Sequence, residues 1–430
     1  MKTVLMIAPY FVPRRRVGAL RPFKFAIHLK SHGYQPVILT IGNPDGELTE
    51  RERTLLEDIE IHEIKPPFDR THQENPEGES AHLSGTGIAD RMLNWIDKQT
   101  PTDTWIYLFR ARYSWIYQKA KEINPDLIWA TGDPWSGLWL GEKLSKELIK
   151  PFVADFRDPW TLATVNVRDR SAFSFEVDRK YEKNVVKSAD KLTFTSKLAE
   201  NKYADFYQLP NNKTATIYNS FDCTITKQPS DNSWNFEPNP DYLNIIFFGR
   251  FRRLSPVTPI ADALKILKNS NSEQANSILI HSFGQPDATD LLSIKQNGLE
   301  QNFVFHEPVV PEKMPAVLKS ADMLLLSTNI EREEIIPAKL WDYLSVEVPI
   351  FSLAPNPEVS EIIMRSKAGI QVHPDHKNEI AELLGCFAIA KKNDRSLLSV
   401  EEDLPDRKIY EASQTAKQLA LIFDDLINNA

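Results

Sequence analysis

One pattern restricts this chain more than any other. Short, mostly apolar runs alternate with longer stretches of helical spacing, and the alternation occurs twice. The first set of runs covers 3–8, 36–41, 59–64, 126–130, 152–156, 191–195 and 214–218. The second covers 244–249, 278–283, 303–306, 323–327, 348–353 and 370–373. Between them, helices are predicted at 19–31, 113–123, 136–149, 176–188, 197–207, 256–268, 311–320, 337–346 and 358–365. In the first of these, Leu20, Phe23 and Ile27 share one helical face and Gly33 follows as a stop. A strand with no polar alternation is buried on both faces, so helices must cover both sides of its sheet. That is the signature of parallel α/β layers.

At 430 residues the chain exceeds the roughly 250–300 that one core supports, so two domains are expected. The stretch 223–241 is polar and rich in Asn, Pro and Ser, and reads as a linker. The prediction is an α/β chain of two Rossmann-like doubly wound domains, 1–222 and 242–406. An amphipathic helix at 407–430 is expected to fold back on the first. The region 65–86 reads as a loop. Open α/β sheets bind ligands beyond the C-terminal ends of their strands, so two in tandem imply a central cleft.

Composition closes several routes. A net charge of −8 excludes a chain-wide grip on nucleic acid. The two cysteines, Cys223 and Cys386, form neither a disulfide framework nor a metal-ligand spacing, and fit a reducing cytoplasm. The apolar start soon meets Arg14, Arg15 and Arg16 without a cleavage pattern, so it reads as a buried strand. No run approaches the roughly 20 apolar residues of a spanning helix, so any membrane contact is expected to be peripheral.

The residues after the strands carry the chemistry. Glu334 precedes a helix expected to start at Pro337, and Asp342 lies inside it. Two carboxylates so placed can accept hydrogen bonds from sugar or ribose hydroxyls while the helix start holds a phosphate. A surface loop with a solvated acid would look the same. Gly249-Arg250 ends a strand: the glycine admits a close ligand and the arginine can fork onto a phosphate. Arg252 or Arg253 can add a second charge. In the first half, Asp133, Asp155 and Asp158 follow strands, where a carboxylate can position or deprotonate a hydroxyl. An ion pair of Asp155 with Arg157 is the simpler alternative. The run Arg14-Arg15-Arg16 can meet a phosphate of an acceptor or a membrane surface, although such runs are usually just solvated. Seven of nine tryptophans lie between Trp95 and Trp160; packing explains most, with Trp95, Trp105 and Trp115 the better functional candidates. There is no Asp-x-Asp tripeptide, His/Cys cluster or phosphate-binding glycine loop ending in Lys-Ser/Thr.

Glu334-x7-Asp342 resembles the E-x7-E motif of the large retaining glycosyltransferase family four, of GT-B fold, with aspartate for the second glutamate. Val348-Pro349-Ile350 is similar to that family's next strand, and Phe248-Gly249-Arg250 to its glycine–arginine step. Pro9-Tyr10-Phe11 through Gly18 and Arg21 resembles its acceptor-side loop and first helix. Ala130–Ser136 and Ala154–Trp160 look like paired strand ends of a bacterial cell-surface-polysaccharide branch. Ile217–Asp222 resembles the step before the linker, with Ser220 for glycine. Ser255 stands where the family usually has lysine, and Ile335-Ile336-Pro337-Ala338 replaces its glycines.

The resemblance implies a retaining, metal-independent transfer from a nucleotide-diphosphate sugar to a lipid-linked saccharide, without a further cofactor, in surface polysaccharide synthesis. The enzyme would work in the cytoplasm or at the inner face of the cell membrane. On the donor side it implies Gly249, Arg250, Arg253, Glu334, Lys339, Leu340 and Asp342. On the acceptor side it implies Arg16, Gly18, Arg21 and Trp160. Glu334, Asp158 and Asp133 are the catalytic candidates. Two rivals stay open: a nucleotide-sugar epimerase, which has a similar two-domain shape, and a non-catalytic nucleotide-sugar-binding subunit.

Overall fold

The computed structural model describes residues 1–43, 46–65, 95–96, 98–164, 170–222, 236–310, 313–329, 331, 333–398 and 405–428. Most of the expected loop at 65–86 and residues 223–235 of the expected linker, Cys223 among them, lie outside the described residues. The chain forms two compact units. One is Met1–Ser220 with Ala412–Ala430, and the other is Phe221–Glu411.

The first unit holds seven parallel strands: β1 (Lys2–Ile7), β2 (Tyr34–Ile41), β3 (Glu60–Ile64), β4 (Leu127–Gly132), β5 (Phe152–Phe156), β6 (Lys191–Phe194) and β7 (Thr214–Thr216). Their order is β3-β2-β1-β4-β5-β6-β7. Ile7 lies opposite Leu39 on one side and Ala130 on the other. From β1 the chain winds outward to β3, then returns to β4 and winds the other way. The loops after β1 and β4 therefore diverge, which opens a crevice at the switch point.

The second unit repeats the scheme with β8 (Leu243–Phe247), β9 (Ile278–Phe283), β10 (Phe303–His306), β11 (Met323–Ser327), β12 (Ile350–Leu353) and β13 (Gly369–Gln371), in the order β10-β9-β8-β11-β12-β13. All pairings are parallel, and the switch point lies between β8 and β11. Each unit has its own core. Leu5, Ile128 and Phe152 anchor the first, and Ile245, Ile280 and Leu325 the second. No helix among the described residues is long and apolar enough to cross a membrane.

Where one terminal helix is predicted, the chain breaks at Ile409–Glu411 between Pro405–Lys408 and Ala412–Asn428. Residues Ala412, Thr415, Ala416, Leu419, Ala420 and Phe423 form the buried face of the second helix. Phe423 meets Tyr34 edge-on at 5.2 Å, and the Tyr34 hydroxyl donates to Asp424 at 2.7 Å. Phe423→Ala removes a fully buried ring, so it should destabilise the first unit by about 3–5 kcal/mol. A drop in the urea midpoint of that unit's transition checks this.

Candidate donor and acceptor sites

In the second unit, Gly249, Arg250 and Lys339 come together beyond the end of β8. Gly249 has φ +122°, a conformation that side-chain-bearing residues avoid. A Cβ there would sit 3.0 Å from Lys339 Cε. The missing side chain thus makes room for Lys339, whose ammonium lies 4.5 Å from the Phe247 ring centroid. Arg250 runs past Gly284, where a Cβ would come within 3.0 Å of its own, and its Nη1 is 3.5 Å from Asp287 Oδ1. Two cations therefore gather at one strand end. Tyr343 braces that end: its hydroxyl accepts from Phe248 N at 3.0 Å and donates to Leu325 O at 3.1 Å. Burial raises the Tyr343 pKa, so it keeps its proton.

Other donor-side expectations need correction. The helix runs Ala338–Leu344, with Pro337 at its N-cap and not in its first turn. Seven residues make only two turns, so its dipole is weak beside two full charges. Leu340 is fully buried and its N–H donates to Pro337 O at 3.0 Å, so it has nothing to offer a ligand. Arg253 is exposed and pairs with Glu331. A charge in a loop six residues beyond the strand carries no signal of direction. Glu334 is buried in the loop before the helix, 6% exposed. Asp342 is half-buried, three residues after Lys339 and hence on the same helical face.

No residue pattern pointed to a hollow at the end of β10, lined by His306, Glu307, Pro308, Val309, Val310 and Lys313. Its volume is about 330 Å³. Strands lie about 4.8 Å apart, so two strand spacings put it about 10 Å from the Arg250 strand. Aromatic rings cross the gap: Phe248 to Phe283 at 5.7 Å, and Phe283 stacked on His306 at 4.8 Å. Behind His306 lies His281, whose pKa falls to about 4 through burial and, secondarily, the neighbouring His306. Burial also lowers His306.

In the first unit, Arg157 organises the loops after β1, β4 and β5. Its Nη2 is 3.2 Å from Asp158 and 3.8 Å from Asp133. Burial alone would lower its pKa, but Asp158 and Asp133 outweigh that and raise it. A Cβ on Gly18 would fall 1.7 Å from Arg157 Nη1, so Gly18 gives this guanidinium its place. Tyr10 lies alongside: its hydroxyl is 3.3 Å from Arg16 Nη1 and 3.5 Å from Trp105 Nε1. Burial and then Asp133 raise the Tyr10 pKa. Tyr10, Arg16, Gly18, Asp133, Arg157 and Asp158 thus form one polar cluster at the switch point.

Several acceptor-side expectations fail on burial. Arg21 is 5% exposed and forks onto Asp155 at 2.8 and 3.0 Å. Asp155 therefore pairs with Arg21 and not with Arg157. Trp160 is 3% exposed and stacks on Trp135 at 6.0 Å. The run Arg14-Arg15-Arg16 is no continuous basic patch. Arg14 is buried over the Tyr10 ring, Arg15 pairs with Glu52, and Arg16 reaches Tyr10. Trp95 and Trp115 are exposed, 62% and 42%.

Glu182 is a further residue that the sequence reading passed over. It accepts from Thr161 N at 2.6 Å, Tyr203 OH at 2.8 Å and Tyr207 OH at 2.6 Å, and Tyr203 accepts from Trp160 N at 2.8 Å. This network anchors the loop that carries Asp158. Burial raises the Glu182 pKa despite these bonds. Its signal was an acid on the same helical face as Asp178, Val185 and Val186.

Comparison with known proteins fits both units. Residues 23–225 match the family described as Glycosyltransferase Family 4, and residues 243–387 match Glycosyl transferases group 1. No curated protein is similar to the chain in sequence. Among solved structures, HepE from Anabaena in complex with UDP is 14% identical, with a TM-score of 0.61, over 99% of this chain and 100% of that one. Sucrose-phosphate synthase from Thermosynechococcus elongatus is 11% identical, with a TM-score of 0.66, over the full length of both. A putative UDP-N-acetylglucosamine 2-epimerase from Listeria monocytogenes is 12% identical, with a TM-score of 0.53, over 100% of this chain and 98% of that one. At such identities these likenesses speak to the fold, and the family matches speak to the activity. The chain is a glycosyltransferase of the GT-B fold, with a family 4 domain in its first unit and a group 1 domain in its second.

Proposed function

We propose that this glycosyltransferase moves a sugar from a uridine diphosphate sugar onto a saccharide acceptor, with retention of configuration. The observation that carries the donor side is the spacing within the second unit. Arg250 and Lys339 stand at the end of β8, and a hollow with room for a base opens two strands away at β10. In this reading the cations meet the diphosphate and the hollow takes the base. Fixed positive charge aimed at a leaving diphosphate is a strong catalytic term and does the work that a metal ion does in other transferases. Glu334 and Asp342 hold hydroxyls of the sugar and ribose. The choice of uridine is supported by the UDP bound to HepE.

The acceptor belongs to the first unit. Asp133, with 41% of its side chain exposed, positions the acceptor hydroxyl, while Asp158 holds Arg157 in place. Arg16 beside Tyr10 offers charge to an acceptor phosphate, which suits a lipid-linked saccharide at the inner face of a membrane. Surface polysaccharide synthesis is the pathway class that such an acceptor implies. The test incubates the protein with UDP-sugars, with and without lipid-linked saccharide pools. Acceptor-dependent release of UDP and a lengthened saccharide are expected. A new UDP-sugar formed without acceptor would make the chain an epimerase instead.

A further inference from the structure

The hydrogen bonds behind the β10 hollow have a fixed direction, and that direction decides what the hollow can recognise. The series of hydrogen bonds begins at Asn244. Its amide nitrogen is surrounded by acceptors: Asn239 O at 2.8 Å, Tyr242 O at 2.8 Å and Asp322 Oδ2 at 3.3 Å. Asp322 is itself held by Lys391 at 2.7 Å. These oxygens fix which end of the amide is nitrogen, so Asn244 Oδ1 must be the atom 3.1 Å from His281 Nε2. An amide oxygen only accepts. His281 Nε2 must therefore carry the proton, and neutral His281 is left with a lone pair on Nδ1.

That lone pair faces His306 Nε2 at 3.0 Å. His306 must then donate from Nε2, and as a neutral ring it keeps a lone pair on Nδ1. Both rings are neutral at pH 7, since burial holds His281 near 4 and lowers His306. Nδ1 of His306 has no protein partner among the described residues, and His306 lines the hollow. The ring is held by Phe283, stacked at 4.8 Å, and by Phe236, edge-on at 5.0 Å. A rigid ring with one acceptor atom is a reader of donors.

We propose that His306 reads the nucleotide base by accepting a hydrogen bond at Nδ1, and that Asn244 and His281 are positioning residues that fix the tautomer required. For uracil the donor is the imide N3–H. This rests on the reading of the hollow as the seat of the base. A ligand that cannot donate at that edge leaves a polar atom unpaired and is discriminated against.

The test combines calorimetry with nitrogen NMR of the ¹⁵N-histidine-labelled full chain. UDP should bind about tenfold more tightly than N3-methyl-UDP, the worth of roughly one hydrogen bond. His306→Phe keeps the stacking but removes the acceptor. It should bind UDP about tenfold more weakly and cease to prefer UDP over its methylated form. In the unaltered protein, NMR should show Nε2 of His306 protonated and Nδ1 bare, and UDP should shift the Nδ1 signal. His281→Phe should leave His306 as a mixture of tautomers. Nδ1 protonated in the free protein, or equal affinity for the two ligands while UDP still moves the His306 signals, overturns the proposal alone. UDP binding that moves no His306 signal puts the base elsewhere and overturns the seat as well.

Discussion

Arg250→Ala is expected to weaken nucleoside diphosphate binding by about one to two orders of magnitude and to lower kcat further. Hydrogen bonds to charged groups contribute roughly 1.5–3 kcal/mol each, which sets the binding loss. The loss in kcat follows from charge development. As the sugar departs, the diphosphate gains negative charge, and a fixed guanidinium stabilises that state more than the ground state. Removing one such donor costs about 10²–10³ in kcat in comparable sites. Lys339→Ala should act in the same direction with a smaller effect, because an ammonium lacks the planar fork. Arg250→Lys separates charge from geometry: partial rescue of binding with little rescue of kcat is expected. Arg250 is about one-third exposed, so the fold should survive its loss. Calorimetry with UDP, paired with initial rates, checks the claim. Wild-type affinity in Arg250→Ala would remove the diphosphate from this strand end.

The layers were legible because their signal is local. The inner strands, such as β2, β4, β8, β11 and β12, are apolar nearly throughout, so burial on two faces could be read without knowing any partner. The helix Lys377–Lys392 was missed although Ile380, Leu384 and Phe387 recur at helical spacing; the small Ala381, Gly385 and Ala388 complete its buried face and dilute the apolar signal. Gly249 stood out at a strand end, and its φ of +122° does require glycine there. The reading failed where direction mattered. Leu340 and Arg253 flank Lys339 and Arg250 in the sequence, yet one is buried in the core and the other pairs with Glu331. Arg157 and His306 escaped because their meaning lies in partners from other strands: Gly18 and Asp133 for one, His281 and Asn244 for the other.

Asp155→Ala is expected to unfold or strongly destabilise the first unit, by about 3–5 kcal/mol. Asp155 lies inside the sheet with no exposure, and four hydrogen bonds from three residues converge on it. Arg21 donates from Nε at 3.0 Å and from Nη2 at 2.8 Å. Thr131 and Thr193, on the strands either side, donate at 2.8 and 2.7 Å. Arg21 also bonds Tyr218 O at 3.0 Å, so one ion pair ties the first helix to three strands and to the end of β7. Alanine would leave a guanidinium buried without its counter-charge, which costs more than the pair contributes. The double variant Arg21→Met with Asp155→Leu removes both charges and should recover much of the loss. Such recovery, read as coupling in a double-mutant cycle, marks a structural pair. The UDP affinity of the double variant should match wild type, because neither residue belongs to the second unit. If Arg21→Met alone left stability intact and raised only the KM for acceptor, Arg21 would be a ligand contact after all, and the buried pair would be dispensable to the fold.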